Sequence, residues 1–493
     1  MNDLTNRRNF LLQIAATGGA AGLTQLSGCA APARPGTAAP LLPRADIAAM
    51  AGAMGARREM SLRLTEQALA AAASPTGEGA RAFTALHAAL ARATAGAIDA
   101  RRSNGEPLPS LAGVPIAIDD MLDEAGSTTF GGATTPRAQV PAVRDAAVVR
   151  RLRDAGLVIV GRTSVAGFGL DALGVRPGNA TPRNSFDRAA SRIPGGASGG
   201  AAVAVADGMA AAAVGLDTAG ALRIPAALNG LVAFRPTQSR VSLEGSVPVA
   251  PRFDTVGSIG RTVDDCVLLD EVLTSTRLSI NAGPQLLYSL RLLVPTTLVL
   301  DDLSFDVLNA FETAVARLAA AGATIVRLPV PALAQVTQLD PAMLTAIMAY
   351  GWHQPNIAGA GATRYDARTL ARLRAAGAVP PPAIVQRIAL RDALITSMRA
   401  TLTGIDAMLM PTIADTAPTM AEVTANDAAY ARAEARMQRN AAVVDVLGGC
   451  ALTLPCQAPG KAPVGLTIAG MADADARVLS IGRSAQALVT VAG

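Results

Sequence analysis

The chain has 493 residues, 51% of them apolar but only 3% aromatic, and a formal net charge of +5 carried by arginine, with Lys461 the single lysine. No basic run is interleaved with aromatic residues, which argues against nucleic acid as a partner. Only two histidines, His87 and His353, and four cysteines without metal-ligand spacing leave no metal site and no cofactor to expect.

Taken in order, the chain opens on what reads as a targeting segment. Arg7-Arg8-Asn9-Phe10-Leu11 has the form of a twin-arginine export motif, although Asn6 stands where Ser or Thr is commoner. A mildly apolar, glycine-rich stretch follows to Gly28, too interrupted for a spanning helix. It ends in Leu26-Ser27-Gly28-Cys29, the form of a bacterial lipobox, whose cysteine is diacylated and becomes the new N-terminus. An ordinary signal peptide with an incidental cysteine is the competing reading. Residues 1–29 are thus expected to be a twin-arginine-type lipoprotein signal peptide lipidated at Cys29, with enough acyl chains for stable anchoring. The expected location is the periplasmic face of a bacterial cell-envelope membrane. Residues 30–44, rich in Ala and Pro, read as a semi-rigid tether reaching roughly 40 Å at about 3.1 Å per residue.

No polar, low-complexity linker divides residues 45–493, so one large domain is expected there. Residues 45–73 and 80–101 read as helices from composition and apolar spacing, with His87 inside the second as an exposed or partly packed side chain. Residues 114–118 form a continuous apolar run of strand length, as in a strand buried on both faces. A helix over 142–155 closes at Gly156 and leads into a strand over 157–163.

Pro194 to Pro225 then reads PGGASGGAAVAVADGMAAAAVGLDTAGALRIP. A glycine-rich turn, Gly195-Gly196-Ala197-Ser198-Gly199-Gly200, runs into a helix of small residues that Asp207-Gly208 stops. A short buried strand over 211–216 follows, and then a second tight loop, Asp217-Thr218-Ala219-Gly220. Two such loops packed through small side chains would make a cradle of backbone donors suited to a developing oxyanion.

Further on, strand, amphipathic helix and strand over 290–294, 305–321 and 323–328 predict a right-handed parallel crossover. Residues 332–402 are expected to form a cap, where Tyr350, Trp352 and His353 either line an entrance or simply pack. Cys450 and Cys456 flank a strand-like run and are expected as buried free thiols, because strand geometry holds residues six apart too far for a bond.

The 194–225 stretch resembles the signature segment of the amidase signature family, which joins a GGSSGG turn to a D-x-G-G-S-I-R-x-P loop. The resemblance extends to Gly113-Val114-Pro115, Gly161-Arg162-Thr163-Ser164, Asn184-Ser185-Phe186-Asp187, Arg235-Pro236-Thr237, Gly257 and Arg261-Thr262-Val263-Asp264-Asp265. It implies an α/β amidase-signature fold, a mixed, largely parallel central sheet flanked by helices. It also implies amide C–N hydrolysis by a Ser–cis-Ser–Lys triad. Position by position, the nucleophile falls on Ala221, the bridging serine on Ala197 and the lysine on Asp119, so none of the three side chains is present.

Hydrolysis of an amide needs a nucleophile, a group to take its proton and donors for the oxyanion. Three substitutes come into question. Ser198 adjoins the bridging position but is expected to point elsewhere; Thr218 lies in the oxyanion loop; Lys461 sits in an exposed-looking turn. Ala219, where the family has glycine, is expected to reshape the loop slightly. Two function classes follow. One is a pseudo-amidase that binds a small amide or amine, or a periplasmic protein partner, through Asp119, Gly195, Gly196, Ser198, Thr218, Ala219, Gly220 and Arg223. The other is an enzyme, either an amidase or one of altered chemistry using Asp119 and Asp120. Arg223 is the expected counter-charge to those two carboxylates.

Overall fold

The computed structural model describes residues 45–133, 140–176, 180–280 and 287–490. The export motif at Arg7 and Arg8, Cys29 and the tether over 30–44 lie outside the described residues.

Among the described residues eleven strands form one sheet. They are β1 (Phe83–Leu86), β2 (Pro115–Asp119), β3 (Val158–Thr163), β4 (Ala212–Leu216), β5 (Val232–Arg235), β6 (Val256–Gly260), β7 (Arg291–Pro295), β8 (Thr324–Leu328), β9 (Ala407–Pro411), β10 (Cys450–Pro455) and β11 (Gly465–Gly470). Their spatial order is β1-β3-β2-β4-β6-β5-β10-β11-β9-β7-β8. The fold is the mixed α/β sheet flanked by helices that the sequence implies. Parallel ladders gather in two triplets, β3-β2-β4 and β9-β7-β8, and antiparallel ladders join them through β6, β5, β10 and β11. The crossover from β7 through the helix Phe305–Ala320 to β8 is parallel, as expected.

Every residue of β2, β3 and β4 is buried, which explains their unbroken apolar runs: helices cover both faces, so no polar alternation is required. The helix Gly199–Ala206 carries nothing larger than valine and lies against β2, β4 and β6. Such small side chains let it approach the sheet closely. The helix Val263–Thr274 is set by a capping box between Thr262 and Asp265. Asp265 reaches further and accepts from the Ile47 N–H at 2.7 Å, tying in the N-terminal helix Ile47–Gly55.

Several boundaries differ from expectation. The helix expected over 45–73 is two helices, Ile47–Gly55 and Ser61–Ala73, broken where Arg57 takes φ 55°. Part of the helix expected over 80–101 is the edge strand β1, and the helix itself is Ala88–Ser103. His87 is therefore its N-cap residue rather than an interior one. Its Nε2 lies 2.6 Å from a carboxylate oxygen of buried Glu124. The helix expected over 142–155 is confined to Ala147–Asp154.

Residues 332–402 are largely helical. His353, on the helix Pro341–Ile357, is wholly buried, with Nδ1 2.7 Å from the Tyr365 hydroxyl. Tyr365 stacks on Phe168 with ring centroids 4.3 Å apart, and Trp352 packs edge-on against His353. Packing, not an entrance, accounts for this cluster. Cys450 and Cys456 are free, buried thiols at the start and just past the end of β10. Among the described residues no helix is long and apolar enough to cross a membrane.

Candidate functional site

The parallel register of β2 on β3 sets Asp119 opposite Thr163. Asp119 is completely buried. Its Oδ1 accepts from the Thr163 hydroxyl at 2.7 Å and its Oδ2 from the Ser198 hydroxyl at 2.5 Å. Room for this carboxyl comes from Gly215 on β4, where a Cβ would stand 2.0 Å from Asp119 Oδ2. Burial pushes the Asp119 carboxyl up to about 7, against the lowering effect of the two hydroxyls, and the neighbouring Asp120 adds to the rise.

Ser198 thus points at Asp119, which corrects the expectation that its side chain turns away. Asp120 faces a different partner. Its Oδ1 accepts from Arg162 Nε at 3.0 Å and Nη2 at 2.7 Å, and from the Phe130 N–H at 3.2 Å. The expected counter-charge is corrected accordingly: Asp120 pairs with Arg162, and Arg223 pairs with neither Asp119 nor Asp120.

Arg223 belongs to another buried set. Its Nε lies 2.6 Å from Asp217, its Nη2 2.8 Å from Asp445, and its Nη1 donates to the Ala441 carbonyl at 3.1 Å. Burial opposes the charge on Arg223, yet Asp217 and Asp445 more than offset it, and its pKa is raised. Arg235 joins the set at 2.9 Å from Asp445. All four side chains are at most 3% exposed, which leaves Arg223 no free face toward a ligand.

The two tight loops do pack together. Gly195 and Gly196 are buried, and a Cβ on Gly196 would stand 2.2 Å from the Asp171 carbonyl. That glycine serves a close approach of the chain to itself. The peptide between Gly196 and Ala197 is cis, at the position where the resemblance puts one. In the facing loop Thr218 donates its hydroxyl to Asp254 at 2.6 Å. The Ala219 N–H is taken by Asp445 at 2.9 Å and the Ala221 N–H by the Thr218 carbonyl at 3.1 Å. Of the second loop's donors, at most the N–H groups of Thr218 and Gly220 are left for the expected cradle. Gly220, at φ 86°, lies close enough to the helix Asp427–Leu447 that a Cβ would stand 2.5 Å from Ala441.

Ala197, Ser198, Thr218 and Ala221 line one cavity with Met121, Val165, Gly169, Leu216 and Val249. It is too narrow to admit a water molecule, and apolar side chains make most of its wall. Lys461 is exposed on a turn after β10, Cys456 and Gln457, and does not line it. Among the described residues no group of three or more His, Cys, Asp or Glu side chains comes together in a way that could hold a metal ion.

Thr163, Arg162, Asp254 and Asp445 were not singled out by sequence reading. Arg162 and Thr163 had a signal in the Gly161-to-Ser164 segment. Asp445, 222 residues from Arg223, had none.

Two outcomes follow from this geometry. Because the folded-state value of Asp119 lies above the ordinary 3.8, its contribution to stability is complete below that value and is lost as pH rises through about 7. Asp119→Asn removes that loss, so the variant should gain about 2–3 kcal/mol on the parent between pH 5 and pH 8 in urea melts. A difference independent of pH would contradict the buried neutral carboxyl. Ala219 holds φ 54°, a left-handed conformation unfavourable to a side chain. Ala219→Gly should raise stability by up to about 1 kcal/mol in the same melts, and a lower midpoint would refute that strain.

The Amidase family model matches residues 63–479. A 2-amino-5-chloromuconic acid deaminase of Comamonas testosteroni is 32% identical over 414 residues, 83% of this chain and 88% of that protein. A mandelamide hydrolase of Pseudomonas putida is 32% identical over 437 residues, 81% of this chain and 83% of the relative. A crystal structure of an amidase superposes with a TM-score of 0.82 at 28% identity, covering 90% of this chain and all of the other (100%).

Proposed function

The chain belongs to the amidase family, and from that premise we propose that it is an exported, lipid-anchored member without amide-hydrolase chemistry, acting by binding a ligand or partner. The observation that carries this is the closed cavity between Ala197 and Ala221. Two methyl groups face it where the resemblance puts a bridging hydroxyl and a nucleophile. Asp119, where it puts a lysine, is sealed beneath with both oxygens engaged. Loss of a serine nucleophile alone costs on the order of a million-fold in turnover in a serine hydrolase. A small ligand at Asp119 would have to part the lining side chains, so the closure favours a protein partner on the outer surface. Any ligand that did enter would meet a carboxyl with no cation beside it, which suits amides and amines over acids.

A second reading has one observation in its favour. The Ser198 hydroxyl at 2.5 Å from Asp119 is an oxygen nucleophile beside a group able to take its proton. Asp120, bound to Arg162, has no part in that dyad.

The two readings separate in one assay. The full chain is expected to release no product from aryl or aliphatic amides above background and to leave serine-directed phosphonates unreacted. Amide turnover that Ser198→Ala abolishes would overturn the first reading and establish the second.

Location rests on Arg7-Arg8 and the box ending at Cys29. In fractionated cells the parent should sediment with membranes, and Cys29→Ala should move it to the soluble periplasmic fraction. A variant held as firmly in the membrane as the parent would remove the lipid anchor from this account.

A further inference from the structure

The two edges of the sheet are built differently. β1 has four residues and a register shift against β3, so its outer edge is irregular. At the other end β8 pairs with β7 in unbroken register from Thr324 to Leu328, and β7 is its one neighbour among the described residues. None of the five residues of β8 is buried, which is true of no other strand described. Its outward N–H and C=O groups are left for another chain, and neither proline nor bulge discourages pairing. Its one charge, Arg327, is neutralised by Glu312 of the helix Phe305–Ala320, at 3.0 and 2.5 Å.

That ion pair fixes which flank of the helix borders β8. Asn309 and Thr313, on the other flank, line a cleft beside Gln457. Phe305, Leu308 and Glu312 follow one another at helical spacing on the β8 flank, and Phe305 is 80% exposed and Leu308 40%. At the opposite end of β8, Tyr288 is 72% exposed and lies against Gly322, where a Cβ would stand 2.3 Å from its ring. An uncovered aromatic ring therefore stands beyond each end of the strand. Measured from Val326 at its middle, Phe305 lies about 14 Å one way, seven helical residues past Glu312. Gly322 lies four extended residues the other way, about 13 Å.

We propose that β8 is a dimerisation edge, to which a second copy of this chain adds its own β8, antiparallel, across a two-fold axis at Val326. Such an axis sets Val326 opposite itself, Ile325 opposite Arg327 and Thr324 opposite Leu328, so no two like charges face each other. The near-equal distances bring Tyr288 of each copy onto Phe305 of the other, and aromatic pairs stabilise beyond the area they bury. Four rings of roughly 200 Å² each, about three-quarters uncovered, and two paired strands bring the contact to the order of 1,000 Å² that a specific interface needs. This match of one end of the edge to the other is what selects a second copy over an unrelated strand. The inference goes beyond the reading of the cavity at Ala197 and Ala221 and does not depend on it.

Sedimentation velocity of the full chain, in mild detergent at micromolar concentration, should show a dimer. Phe305→Lys and Tyr288→Asp, both at exposed positions, should each weaken it at least about tenfold. Combined in one chain they should restore it, because opposite charges then meet across the axis. With an added thiol oxidant, Val326→Cys should give a disulfide between copies. Val143→Cys, highly exposed in the loop before the helix Ala147–Asp154, should not, and Cys266, Cys450 and Cys456 are buried. Ser198→Ala should leave the dimer unchanged, which separates this result from the one under Proposed function. A monomer, with or without an unrelated strand bound at β8, would overturn the proposal. So would a dimer indifferent to both single charge substitutions, or one that the combined variant fails to restore.

Discussion

Four buried charges hold the middle of this molecule in place. Asp217 at the end of β4, Arg223 at the start of the next helix, Arg235 at the end of β5 and Asp445 near the end of the helix Asp427–Leu447 meet without solvent. Desolvating them is expensive, and only mutual pairing offsets it. Removing one member would leave another buried and unpaired, at a cost on the order of 3–5 kcal/mol. That penalty fixes the loop from Asp217 to Gly220 against both the sheet and the helix, whatever side chain stands at 221. The shape of the signature region is therefore maintained by interactions that take no part in bond cleavage.

The same separation runs through the rest of the site. Arg162 holds Asp120, Asp254 gathers Thr218 with the Val249 and Ala250 N–H groups, and Gly215 yields space to Asp119. Tyr365 and His353 clamp Phe168, whose neighbour Gly169 lines the closed cavity. Each device is structural and complete in itself. What the fold protects is the position of two loops, and on the proposed reading the chemistry between them has gone while the frame remains.

How much of this was legible in the sequence depended on the range of the interaction. Strands β2, β4, β7 and β8 stand out because both-face burial or a crossover imposes continuous apolar runs near residues 114–118, 211–216, 290–294 and 323–328. The break near Arg57 and the strand at Phe83–Leu86 do not, because alanine-rich segments look helical whether or not the chain turns. At the site, Asp119 stands out at once, where the resemblance implies a lysine. Its partners are not, since Thr163 and Ser198 reach it only through strand register and loop packing. Arg223 was misassigned for the same reason: Asp119 and Asp120 were expected as its partners, while the fold sets it between Asp217, six residues away, and Asp445, more than two hundred away.

The narrow space between Ala197 and Ala221 also bears on what single substitutions there can do. On the proposed reading, a lone hydroxyl placed at 221 would lack the lysine and the bridging serine that the resemblance implies, and it would sit in a gap too small for water. It would add a polar group to an apolar wall and return no turnover. Neither change at 197 or 119 alone does better. On the proposed reading, no single substitution at 119, 197 or 221 assembles the three side chains that the resemblance implies. On that reading the gap works as a ratchet: packed over small side chains, it leaves the scaffold to be used at another surface.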